Sequence, residues 1–111
     1  MNTINMENSL LSTFLYADEY ELNKDEMFKI NSDIFTSSYR RAVSNKINDE
    51  IDGDKFMSYL SVTLEDHTKG TQFEQEWIDI IAQTPLVFSV AERIHEDLIS
   101  EYKKRLARSF R

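Results

Sequence analysis

A chain of 111 residues has room for one domain, and its 41% hydrophobic content, with seven Phe, five Tyr and one Trp, suffices for one core. Two glycines and one proline are too few for a sheet with many tight turns, so an all-α chain with short joints is expected. Zero cysteine excludes disulfides, thiolate metal sites and cysteine nucleophiles, and the net charge of -7 argues against the chain as a whole wrapping a nucleic-acid backbone.

In chain order, Asn2 or Asn5 caps a first helix whose stripe is Met6, Leu10, Leu11, Phe14 and Leu15, spaced by threes and fours. Tyr16 to Tyr20 is its frayed end or a joint. Asn23, followed by Lys24, Asp25 and Glu26, reads as the cap of a short helix through Met27, Phe28 and Ile30. Asn31-Ser32-Asp33 breaks it, and Ile34-Phe35 plugs the core from a loop. Thr36, Ser37 or Ser38 then caps a helix with Tyr39, Val43 and Ile47 inward and Arg40, Arg41, Asn45 and Lys46 outward. The stretch from Asn48 to Asp54, NDEIDGD, reads as an acidic joint. Asp54 caps a helix with Phe56, Leu60, Thr63 and Leu64 inward, and DHTKG, from Asp66 to Gly70, is the next joint.

The forty residues from Thr71 to Phe110 look like the organising stretch. Thr71 with Glu74 and Ser89 with Glu92 fit S/T-x-x-E, the capping box at a helix start. Phe73, Trp77, Ile80 and Ile81 face inward on the first helix, which Thr84-Pro85 ends. On the second, Val90, Ile94, Leu98, Tyr102 and Leu106 form the apolar row. Steps of four drift about 40° each at 3.6 residues per turn. The row therefore turns away from its own globule, and the distal part needs another surface. Ile99, Tyr102, Leu106, Phe110, Arg105 and Arg108 are the candidate interface residues. Lys103, Lys104, Arg105, Arg108 and Arg111 concentrate five of the 13 cations in the last nine residues. The expected architecture is one domain over 1–111, a compact bundle of about six helices with a long C-terminal helix.

No catalytic or cofactor-binding constellation emerges. Two glycines cannot build a phosphate-cradling loop. His67 and His95 lie on different elements without metal-ligand spacing and read as solvated side chains. Asn48 to Gly53 imitates the opening of an EF-hand loop, but Tyr59 stands where the closing carboxylate belongs. Every carboxylate belongs to a charged face or a joint, and no buried pair is expected. No cofactor and no metal are expected. The opening MNTINMENSL lacks a basic region followed by an apolar run, and no apolar stretch approaches the roughly 20 residues that cross a bilayer. A soluble, cytoplasmic, non-enzymatic protein without a membrane contact is the expectation.

Three places together resemble the amino-terminal domain of the bacterial replicative DNA helicase of the DnaB type. The run from Glu7 to Leu15, ENSLLSTFL, is similar to that family's opening helix. Asp33-Ile34-Phe35, followed by Arg40, Val43 and Ile47, resembles its acidic-aromatic loop and next helix. Trp77 to Ala82, Gln83-Thr84-Pro85 and Arg105-Leu106 resemble its penultimate helix, threonine-proline turn and long last helix. Thr36, Arg40 and Glu92-Arg93 depart from the family pattern. The resemblance implies an all-helical head that self-associates as a dimer or higher oligomer and contacts primase or a helicase loader in DNA replication. The ATPase half of such a helicase is not in this chain, in keeping with the missing phosphate loop. Direct nucleic-acid contact is expected to be weak or absent. The alternative is a free-standing acidic helical adaptor or antagonist, of phage or plasmid type, that binds a replication or other protein.

Overall fold

The computed structural model describes residues 2–53 and 56–109. Five α-helices run through them: α1 (Thr3–Leu15), α2 (Ser38–Asp52), α3 (Met57–Thr68), α4 (Glu74–Ile81) and α5 (Phe88–Ser109). Two 3-10 turns, Lys24–Glu26 and Ser32–Ile34, punctuate the link from α1 to α2, and no strand occurs among the described residues. The all-α expectation and the long last helix hold. The count is five, because the stretch after Asn23 closes only one 3-10 turn before Met27 runs extended.

The organising element is α1, not the stretch from Thr71 to Phe110. It touches each of the other four helices, and every residue from Glu7 to Leu15 is buried. Leu10, Leu11, Phe14 and Leu15 form the apolar centre, with the Phe14 ring edge-on to Phe28 at 5.1 Å and to Phe88 at 5.2 Å. A helix enclosed on all sides must also find partners for its polar side chains. Ser12 donates to the Gln83 carbonyl at 2.7 Å, and Ser9 to the Gln83 side-chain oxygen at 3.3 Å. Thr13 donates to the Ser9 carbonyl and accepts the Leu86 amide at 3.0 Å. These bonds fasten the connector after α4 along α1.

Glu7 corrects the expectation that every carboxylate belongs to a charged face or a joint. It is 0% exposed, and its Oε1 accepts from Arg40 at 3.1 Å and from the Thr36 amide at 2.9 Å. The Thr36 hydroxyl donates to Oε2 at 3.0 Å. Arg40, expected outward, is buried with it and also donates to Thr36. Arg41, also expected outward, is half-buried and donates to the Phe35 carbonyl at 2.9 Å.

Ile34 and Phe35 plug the core as expected. Their carbonyls point at guanidinium groups, Phe35 at Arg41 and Ile34 at Arg105, the latter at 3.0 Å. Ser37 is the cap of α2 and accepts the Arg40 amide, while Tyr39, Val43 and Ile47 face inward. The expected joint at Asn48 is helical, since α2 continues to Asp52 with Gly53 as its C-cap. No calcium-type loop can form from residues in helical conformation. Asn48 instead spans Ile30, accepting its amide at 2.9 Å and donating to its carbonyl at 2.8 Å. That pair satisfies a backbone with no strand or helix of its own.

The expected cap Asp54 lies outside the described residues. Asp18 serves α3 from a distance, accepting the Ser58 amide at 3.0 Å. Met57 and Leu60 are the buried residues of α3's apolar set, Leu64 and Thr63 are half-buried, and Phe56 is exposed. The helix runs to Thr68, so most of DHTKG is helical, and Gly70 takes the left-handed turn at φ 78. The Thr71 box is shifted by one residue: Thr71 accepts the Phe73 amide at 3.2 Å, and Glu74 takes the Gly70 amide. Trp77 and Ile80 are buried as expected. Helix α4 stops at Ile81, ahead of Thr84-Pro85, because α1 captures the next backbone turn.

Helix α5 starts one residue before Ser89, which therefore sits inside the first turn and is exposed. Its buried row is Phe88, Ala91, His95 and Leu98, in steps of three, four and three. Alternating steps average 3.5 residues and hold one face toward the body. The steps of four picked a row that wanders off: Val90 and Leu106 are exposed. His95, expected in solvent, is buried, accepts the Asn31 amide at 3.0 Å on Nε2, and lies 5.0 Å from the Phe28 ring. Burial pushes its pKa below the usual value, against the opposing pull of Glu96 and Glu92.

Two outcomes are expected. Glu7→Ala should cost about 3–5 kcal/mol in urea denaturation by stranding buried Arg40, while the double variant Glu7→Leu, Arg40→Met should recover much of that loss. For His95, the unfolded chain binds the proton more readily than the folded one. Its stabilising contribution is complete above the unfolded-state pKa near 6.5 and is lost as pH falls from there through the depressed folded value. The urea midpoint should drop on that acid side, with a slope from this group of at most about 1.4 kcal/mol per pH unit, and His95→Gln should flatten it.

Candidate interaction surface

The six tail residues do not form one surface. Ile99 and Tyr102 are half-buried and pack against the core. Arg105 sits over the Tyr102 ring, 5.7 Å from its centroid, and is tied inward by the Ile34 carbonyl. Leu106, by contrast, is 39% exposed, and Ala107, Arg108 and Ser109 are exposed with it. Phe110 lies outside the described residues. The last turn of α5, after Arg105, is thus left without cover. Just before it Lys103 and Lys104 are exposed as well, the latter 3.2 Å from Glu101.

A second apolar surface lies between α3, α4 and the end of α1. Two adjoining depressions of about 270 and 140 Å³ open there and share Glu65, Trp77 and Ile81. Leu15, Tyr16 and Val62 complete the apolar wall of the larger, and Ile78 that of the smaller. Val62 is 60% exposed, and Tyr59, one turn before it, is 77% exposed. The Tyr16 hydroxyl donates to the Ile81 carbonyl at 3.2 Å and Ser61 to the Leu15 carbonyl at 3.2 Å, so the groove has a braced frame. Trp77 is buried, and its Nε1 has no hydrogen-bond partner.

The rim is acidic. Glu19, Glu65 and Glu74 line the two depressions with Lys69 as the opposing charge. The field is felt at Tyr16: burial raises its pKa first, and Glu19, Tyr20 and Glu65 raise it further. Among the described residues no three His, Asp or Glu side chains cluster to hold a metal ion. His67 is exposed on the last turn of α3.

Sequence reasoning passed over this groove because it sought one apolar stripe on α3. The signal was the surplus. Met57, Tyr59, Leu60, Val62 and Leu64 go most of the way round a 12-residue helix, and a single body can cover one side of it. Comparison with protein-family models, curated proteins and solved structures found no match.

Exposed and buried aromatic residues of α3 and α4 should separate on substitution. Tyr59→Ala should leave the urea midpoint within about 0.5 kcal/mol of the parent. Trp77→Ala should cost about 3–5 kcal/mol through the cavity it opens.

Proposed function

We propose that this chain is a non-catalytic helical assembly domain whose role is that of a DnaB-type helicase head: self-association and contact with primase or a helicase loader in DNA replication. One observation carries the reading. The three places of the sequence that resemble that family converge on one helix. Ile34 and Phe35 of the acidic-aromatic plug share one core with Leu10, Leu11 and Phe14 of the opening run, and the Ile34 carbonyl accepts from Arg105 of the third place. Gln83 of the third place bonds Ser9 and Ser12 of the first. Residues far apart in the chain thus act as one packing unit, as a shared fold requires. The apolar groove and the exposed end of α5 are the surfaces through which such a domain would work.

The alternative is a free-standing acidic adaptor or antagonist that binds a basic protein. It is favoured by the exposed carboxylates Glu92, Glu96 and Asp97 along α5, which form an acidic face apart from the groove.

Sedimentation of the purified chain over a wide concentration range tests the first reading. Reversible association that weakens in Leu106→Asp is expected. A monomer at every concentration, with neither primase nor loader recovered on the chain from host extract, would overturn it.

A further inference from the structure

We infer that the exposed end of α5 in one copy docks in the α3–α4 groove of a second copy, a contact of basic amphipathic helix with acidic apolar cleft. The inference rests on the self-association proposed above and names the two surfaces that meet.

Charge selects the occupant. The groove presents Glu19, Glu65 and Glu74 around Val62, Ile78 and Ile81. The tail presents Lys103, Lys104 and Arg108 beside Leu106, all exposed. The two surfaces are opposite in charge and alike in apolar content. Opposite charges steer the encounter, and a leucine in an apolar pocket supplies the anchor. Within one copy Arg105, stacked over Tyr102, ties the helix to the second 3-10 turn, on the side of the body where α5 packs. The groove is built by α3, α4 and the end of α1 instead, so donor and acceptor surfaces are different patches. Each copy carries one donor and one acceptor: joined reciprocally the copies make an isologous pair, and joined successively a heterologous ring or open filament. A tail of two turns buries little area, so the association is weak for a single contact and gains from repetition.

Complementation tests this. Val62→Glu damages the groove and leaves the tail; Leu106→Asp damages the tail and leaves the groove. Both positions are exposed, and circular dichroism checks that each variant keeps the parent's helicity. Each variant alone should sediment as a monomer, or associate at least about tenfold more weakly than the parent. Mixed in equal amounts, they should form a heterodimer through the one intact tail and one intact groove. Raising salt should weaken the parent's association, and Glu65→Lys with Lys103→Glu in partner chains should restore it relative to either change alone. If the parent associates but the mixture shows no heterodimer, or the variants associate as the parent does, the tail-to-groove contact is overturned while self-association stands. A parent that never associates overturns both.

Discussion

The enclosure of α1 is the constraint on which the rest of the structure depends. Nine consecutive buried residues leave the helix no solvent face beyond its first turn, so their polar side chains cannot be left to water. Each bonded one draws in a specific segment. Glu7 brings the start of α2 through Arg40, and Ser9, Ser12 and Thr13 bring the connector between α4 and α5. Apolar burial around Leu10, Leu11 and Phe14 provides the bulk of the driving force, but it is indifferent to register. The polar bonds choose among the packings that would bury the same surface. The ion pair of Glu7 and Arg40 belongs to this selecting class, since desolvation offsets much of its attraction. Asn8 is the exception, with a buried Oδ1 that finds no partner.

The legible parts of the fold were those decided locally. Caps at Asn2, Asn23 and Ser37 follow from short polar side chains that bond the amides next to them, and all three are present. The stripe of Tyr39, Val43 and Ile47 and the plug of Ile34-Phe35 needed only spacing and hydrophobicity. The illegible parts were polar residues whose partners are far away in sequence. Glu7 meets Arg40 across 33 positions and His95 meets Asn31 across 64, and nothing near either residue announces the meeting. The acidic run from Asn48 was misread for a related reason. Its composition suits a turn, but Asn48 is held in α2 by bonds to Ile30, and tertiary structure overrode propensity.

Helix α5 shows how a small error in period becomes an error about surfaces. Steps of four and alternating steps of three and four both begin on apolar residues and share Leu98 and Tyr102. Over the length of the helix they diverge by a large part of a turn. The observed row keeps Phe88, Ala91, His95 and Leu98 on the body, and Tyr102 and Arg105 continue it. Much of the tail therefore has an internal partner, and the need for an external one shrinks to the turn around Leu106. The larger uncovered surplus lies on α3, whose apolar residues surround the helix more completely than its neighbours cover.

Why the cover fails at that seam follows from the design around α1. Helices α3 and α4 both lean on α1, and each spends its best apolar residues there or in the core beside it: Met57 and Leu60 from one, Trp77 and Ile80 from the other. Two helices that converge on a third diverge from each other on the outside, because cylinders of about 10 Å diameter cannot fill the angle between them. Long side chains could close such a gap. Here Ser58 and Ser61 stand on the α3 side of it, too short to cross, and Ser61 turns back to the Leu15 and Met57 carbonyls. The cleft is thus a consequence of short residues at the one seam where length was needed. Val62 and Ile78 remain at its edge as exposed apolar side chains. With serine at both positions the bundle keeps an opening bounded by glutamates, and that combination is what gives the surface a chemical preference.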